Sequence, residues 1–129
     1  MSPRPRRISA RERRARLVRR HHLGRTGRDV TAVAGDLAGL HSSDAASVFL
    51  AARARVRRFE PEDLERALYE ERTLARVLGM RRTMFVLPVE LAPVVHAACT
   101  RSIARRERAR TIAFVEGGGV APDGARWLA

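Results

Sequence analysis

Between Thr73 and Pro88 the chain reads TLARVLGMRRTMFVLP, and here its apolar periodicity changes. A β-favouring run from Thr83 to Leu87 is stopped by Pro88, and Gly79 divides it from an earlier apolar run. That pattern predicts a β-hairpin: a strand near Leu74 to Leu78, a turn around Gly79 and a strand near Arg82 to Leu87. One hairpin set among helical segments leaves few folds open to this chain.

The flanking segments repeat apolar residues at helical spacing. Ser9, with Glu12 three residues on, has the form of a capping box, and a first helix runs to about His22 and ends near Gly24. Its apolar content is thin: Ala15, Leu17 and Val18. Asp29 caps a second helix, in which Val30, Val33, Ala34, Leu37 and Leu40 mark one buried face. Gly39 suits its termination. A third helix carries Ala45, Val48, Phe49, Ala52 and Val56 on one face and leaves through the basic cluster Arg53, Arg55, Arg57 and Arg58. Pro61 fits the first turn of a fourth, with Glu62 and Asp63 favourable beside the dipole's positive end. Leu64, Ala67 and Leu68 are its inner face. After the hairpin, Glu90 to about Ala113 reads as a long helix with an inner stripe of Leu91, Val94, Val95, Ala98, Ser102 and Ile103.

Three short helices, a connecting helix and a two-stranded hairpin predict a mainly α fold, a winged helix-turn-helix with the hairpin as its wing, followed by a long helix. The third helix of such a unit is the usual groove reader. Residues 1–8 then form a flexible basic arm, 9–88 the winged-helix domain, 89–116 the long connecting helix, and 117–129 a linker and the start of a second winged-helix domain. The last stretch, APDGARWLA, has the form of a helix beginning, with Asp123 as cap and Trp127-Leu128 following. That apolar close predicts an N-terminal piece of a longer protein, with the missing C-terminal domains as partners.

Charge narrows the function. All 26 basic residues are arginine, with no lysine, asparagine or glutamine, and the net charge is +12. A GC-rich genome favours that composition, but the excess charge still attracts polyanions, and nucleic acid is the default partner. Residues 1–28 hold eleven arginines against Glu12, and residues 101–110 hold five against Glu107. Residues 59–71 run the other way, with six acids and Arg66. There is no apolar run long enough for a membrane span, and the arginine-rich N-terminus lacks the apolar stretch of a secretory signal. A cytoplasmic, nucleoid-associated protein is expected. The single cysteine, Cys99, cannot form an intrachain disulfide. His21, His22, His41 and His96 have no metal-ligand spacing, and the glycine triplet lacks the lysine of a phosphate loop. No metal and no cofactor is expected.

One polar tetrad, His41-Ser42-Ser43-Asp44, interrupts two apolar runs. The plain reading makes it a turn: His41 ends the second helix, Ser42 or Ser43 caps the third, and Asp44 lies in its first turn. The sharper reading makes it a site. His41 can take a proton near neutral pH, and Asp44 can stabilise developing positive charge.

The segments GDLAGLHSSDAASVFLAARARV, LYEERTLARVLGMRRTMFVLPVELAPVV and GVAPDGARWLA resemble the N-terminal portion of the bacterial winged helix DNA-binding domain family of actinobacterial type. Its superfamily includes DNA glycosylases that remove bulky alkylated purines and unhook interstrand crosslinks, among them azinomycin-resistance enzymes. The resemblance covers roughly residues 10 to 129. It implies a member built of tandem winged-helix units, with a Gln-apolar-Gln or Gln-apolar-Asp motif after Gly-Leu. Here His41, Ser42 and Ser43 stand at those positions. The function expected is duplex DNA binding through arginine-phosphate contacts by Arg53, Arg55, Arg57 and Arg58 with the wing residues Arg81 and Arg82. An active DNA-repair glycosylase using His41, Ser43 and Asp44 is the alternative. A helical protein-interaction module is a third.

Overall fold

The computed structural model describes residues 7–129, so residues 1–6 of the expected basic arm lie outside the described residues. Ten helices and strands follow in order: α1 (Ala10–Arg20), α2 (Val30–Asp36), β1 (Leu40–His41), α3 (Ala45–Arg53), α4 (Pro61–Glu65), β2 (Leu74–Leu78), β3 (Met84–Pro88), α5 (Ala92–Val95), α6 (Arg101–Gly117) and α7 (Gly124–Trp127). A wider π turn, Arg66–Glu70, prolongs α4. A second, His96–Thr100, joins α5 to α6 as one long helix. The protein is mainly helical, with one small antiparallel sheet in the order β1-β3-β2.

The hairpin strands pair from Leu74 opposite Pro88 to Leu78 opposite Met84. The sheet has three strands where the sequence predicts two. Leu40 and His41 pair with Val86 and Phe85 on the outer side of β3. The end of α2 explains the extra strand. Ala38 takes a left-handed φ of 56°, and Gly39 one of 122°. The Gly39 amide donates to the Ala34 carbonyl and the Ala38 amide to the Gly35 carbonyl, which is the Schellman closure of a helix. That turn swings Leu40 into the core and His41 onto the sheet. His41 therefore does not end the second helix.

The helix starts follow local chemistry. The Ser9 hydroxyl accepts the Glu12 amide and Asp29 accepts the Ala32 amide, at 3.1 and 2.7 Å. Val33, Ala34, Ala52 and Leu64 are fully buried in one cluster with Val30, Leu40, Val48, Val56, Leu74 and Val86. No residue of α1 is buried. Its C-terminal end is tied down by His22, whose Nε2 lies 2.8 Å from an Asp36 carboxylate oxygen.

The inner stripe of the long helix differs from the sequence expectation. Val94 and Ala98, expected inside, are exposed, whereas Ile103 is buried as expected and Val115 is buried further along. The π turn at residues 96–100 adds a residue to one turn and rotates the face that follows it. There the Thr100 hydroxyl donates to the Leu78 carbonyl. At the far end α7 folds back on α6, where a Cβ on Gly124 would lie 2.8 Å from the Ile112 carbonyl oxygen. Trp127 stays exposed.

Asp29 gives a pH prediction. Partial burial works to raise its pKa, but the Ala32 amide, the Arg28 guanidinium and the Thr31 amide outweigh it and hold the carboxyl below its ordinary 3.8. A carboxylate with a depressed folded pKa contributes stability that is present above its unfolded pKa and is lost as pH falls through the folded one. Chemical unfolding between pH 6 and pH 2 should show Asp29→Asn less stable than the parent at about pH 6, with the gap closing as pH drops below about 4.

Candidate functional site

The polar tetrad lies beside the start of β3, at the same end of the sheet as the hairpin turn. Around β1 the side chains alternate, as a strand requires. His41 and Ser43 are exposed on one side, while Ser42 points in and is 2 % exposed. His41 Nε2 and Ser43 Oγ are 3.3 Å apart. Ser43 Oγ also accepts the Met84 amide at 3.3 Å. The imidazole meets the Phe85 ring edge-on, with centroids 5.6 Å apart and planes at 89°. His41 and Ser43 thus form one fixed exposed pair. Asp44 is not part of it.

Asp44 is the N-cap of α3. Its Oδ1 accepts the Ala46 and Ser47 amides at 2.8 and 3.2 Å. The serines expected to cap are engaged elsewhere, Ser43 by β3 and Ser42 by Arg76. The Ser47 hydroxyl lies within hydrogen-bonding distance of the carbonyls of His41 and Asp44, at 3.2 and 2.6 Å. β1 and the first turn of α3 are therefore one unit.

Sequence reasoning overlooked Arg76. From β2 it reaches past β3, and its Nε and Nη2 donate to the Ser42 carbonyl at 3.2 and 2.8 Å. That fork pins the peptide between His41 and Ser43. An arginine between Leu74 and Leu78 in an otherwise apolar strand was the available signal. Arg76→Ala should leave the fold in place but loosen β1. The Ser42 amide, which donates to the Met84 carbonyl, should then exchange its hydrogen about tenfold faster. That factor corresponds to about 1.4 kcal/mol of local opening, within the range of a charge-assisted hydrogen bond. An unchanged exchange rate would show that Arg76 does not hold the strand.

The six arginines expected to bind DNA occupy two places. Arg53, Arg57 and Arg58 are exposed at and beyond the end of α3, and among the described residues none of them makes an ion pair. Arg55 is turned inward. Its Nη1 donates to the Ala51 carbonyl at 2.9 Å, and its Nε is buried without a partner. Arg81 and Arg82 form the tip of the hairpin with left-handed φ of 55° and 61°. Arg82 lies 3.0 Å from a Glu107 oxygen on α6, which also faces Arg110. Arg81 has no such partner among the described residues. No three of His, Cys, Asp and Glu come together as a metal site among the described residues, and no helix there is long and apolar enough to cross a membrane.

A small helical protein with a three-stranded sheet, a fixed polar pair on the outer strand and exposed arginines without ion pairs among the described residues is the class that fold and site define. The sequence profile described as DNA glycosylase AlkZ-like matches residues 34–129, three quarters of the chain. The chain belongs to that family and is DNA-glycosylase-like, which makes DNA its expected partner. Neither the curated proteins nor the solved structures contain a match to it.

Proposed function

We propose that the chain binds duplex DNA through arginine-phosphate contacts, as a winged-helix unit of a DNA-glycosylase-like protein. The observation that carries this reading is the hairpin tip. A left-handed backbone costs an L-residue roughly 1–2 kcal/mol, and a turn of this kind ordinarily takes glycine. Two successive arginines held there place exposed guanidinium groups at the hairpin turn, beside α6. Such outliers persist where surrounding structure over-determines them, often at functional positions.

The order α2-β1-α3-α4-β2-β3 supports the winged-helix reading, because a short strand between the first two helices is what completes a three-stranded wing sheet. It also moves the groove reader. The helix that leads into the hairpin is α4, and its segment carries Glu60, Glu62, Asp63, Glu65, Glu70 and Glu71. A phosphate-lined groove repels it. Contact therefore falls to Arg53, Arg57, Arg58 and Arg81. With no asparagine or glutamine in the chain, the usual adenine-reading contacts are missing, and sequence preference should be weak.

The test compares two unrelated duplexes. Each arginine-phosphate contact contributes about 0.9 to the slope of log affinity against log salt. Arg81→Ala should make that slope shallower by about this amount, equally on both duplexes. Arg82→Ala should change it less, because Glu107 already neutralises that guanidinium. Unchanged affinity and slope for Arg81→Ala would remove the hairpin from the interface.

The His41-Ser43 pair favours a second, chemical reading: hydrolysis of the bond between an N7-alkylated purine and its sugar. The alkylated base leaves with the electron pair of the C1′–N9 bond and needs little acid catalysis. Water then adds to the cationic sugar and must lose a proton. With Nε2–H donating to Ser43, His41 Nδ1 is left as an acceptor for that proton. The lesion must be extruded or the duplex distorted to reach it. The family and the exposed, fixed ring support this role.

A further inference from the structure

At the far end of α3 from the tetrad lies a cavity of about 460 Å³, and it is walled by an unusual combination. Arg25, Arg53 and Arg58 come to it from three segments, and Phe49 and Phe59 form its apolar side. We infer that this cavity binds a single unstacked nucleotide, with the phosphate on the three guanidiniums and the base against the phenylalanines. This rests on the reading that the chain binds DNA.

The charge pattern is the first ground. Arg16, Arg28, Arg66, Arg82 and Arg110 each face a carboxylate within 3.5 Å. Arg25, Arg53 and Arg58 make no ion pair among the described residues, although they share one cavity. Glu60 also lines it and offsets one of the three charges, which leaves an excess of two. Like charges gathered with a single counter-charge repel one another, and a bound phosphate relieves that repulsion.

Construction is the second ground. Arg25 has a left-handed φ of 55°, and its Nη2 donates to the Arg57 carbonyl at 3.3 Å. Its guanidinium is thus anchored to the loop that carries Arg58. Phe49 and Phe59 pack against the core on one side and line the cavity on the other. Rigid aromatic walls beside guanidinium groups match a base joined to a phosphate, since stacking on such rings is indifferent to base identity. Inorganic phosphate satisfies only the charged half.

Position is the third. From α3 the cavity is lined by Phe49, Leu50 and Arg53, so its near wall stands about 6 Å along the axis from the helix's first residue, Ala45, at about 1.5 Å per residue. A nucleotide held here therefore lies beyond the tetrad and not in it.

Two-dimensional NMR of the whole chain with deoxyguanosine 5′-monophosphate, inorganic phosphate and an eight-nucleotide single strand tests the inference. The mononucleotide should shift the ring signals of Phe49 and Phe59 together with the Arg25 amide, and phosphate alone should leave the rings unmoved. The single strand should shift the same signals at about tenfold lower concentration or less, if the nucleotide comes from a strand. Tighter mononucleotide than strand binding would make a free nucleotide the source, with the site unchanged. Arg25→Ala and Arg58→Ala, both at exposed positions, should each weaken the mononucleotide by tenfold or more. Shifts scattered over the arginines without the rings, or variants that bind as the parent does, would overturn the inference. The salt dependence of duplex affinity through Arg81 is measured separately. If it stands while the rings do not move, the cavity assignment fails and duplex binding remains. If both fail, the DNA reading fails with them.

Discussion

His41→Ala should reduce the single-turnover excision of an N7-alkylguanine from duplex DNA by about a hundredfold or more, the usual worth of a positioned general base. Affinity for the duplex should stay nearly intact, because His41 makes none of the proposed arginine-phosphate contacts. A rate loss without an affinity loss marks an interaction made in the transition state. Neighbouring substitutions separate chemistry from architecture. Asp44→Ala removes the cap that holds the Ala46 and Ser47 amides and should cost about 1 kcal/mol of stability, with little change in rate. Ser43→Ala loosens the imidazole, whose Nε2 lies 3.3 Å from Ser43 Oγ, and should lower the rate by a smaller factor than His41→Ala. Normal excision by His41→Ala would place the chemistry on other residues. No base release by the parent from any alkylated substrate would leave His41 and Ser43 as a structural strand end.

Leu64→Ala should be the most damaging single change to the fold. Leu64 is 0 % exposed and sits in the cluster that joins α2, α3, α4 and the sheet. Removing a buried leucine's methyl groups costs about 2–5 kcal/mol, because transfer energy and an unfilled cavity add. A domain of this size has only about 5–15 kcal/mol to lose. Thermal unfolding should fall by roughly 10–20 °C at the commonly observed few degrees per kcal/mol. Leu50→Ala, whose side chain is 66 % exposed one turn along the preceding helix, should change the midpoint little. Equal behaviour of the two variants would contradict this core.

The contrast between what could be read from the chain and what could not follows from distance along it. Ser9, Asp29 and Pro61 mark helix starts because a cap acts within three residues. The hairpin was legible because Gly79 and Pro88 punctuate two adjacent apolar runs. β1 was not, since two residues become a strand only by pairing with Phe85 and Val86 on another segment. The cap of α3 fell to Asp44 because Arg76 and the Met84 amide, both distant in sequence, take up Ser42 and Ser43. The same reason hides the fate of Arg82, which meets Glu107 on α6, whereas Arg55 turns back onto the Ala51 carbonyl four residues earlier. Val94 and Ala98 were expected inside and are exposed, while Ile103, beyond the π turn, is buried as expected. Composition indicated a polyanion as partner, but contacts between distant segments decided which guanidiniums remain free to meet it.

Duplex affinity measured from 50 to 200 mM salt tests the arginine-phosphate interface most directly. Four guanidiniums that make no ion pair among the described residues, on Arg53, Arg57, Arg58 and Arg81, predict a linear fall of log affinity with log salt. The slope should be about −3 to −4 on unrelated sequences, a loss of about a hundredfold across that range. Affinity that stays level across the range, or that depends strongly on base sequence while ignoring salt, would contradict it.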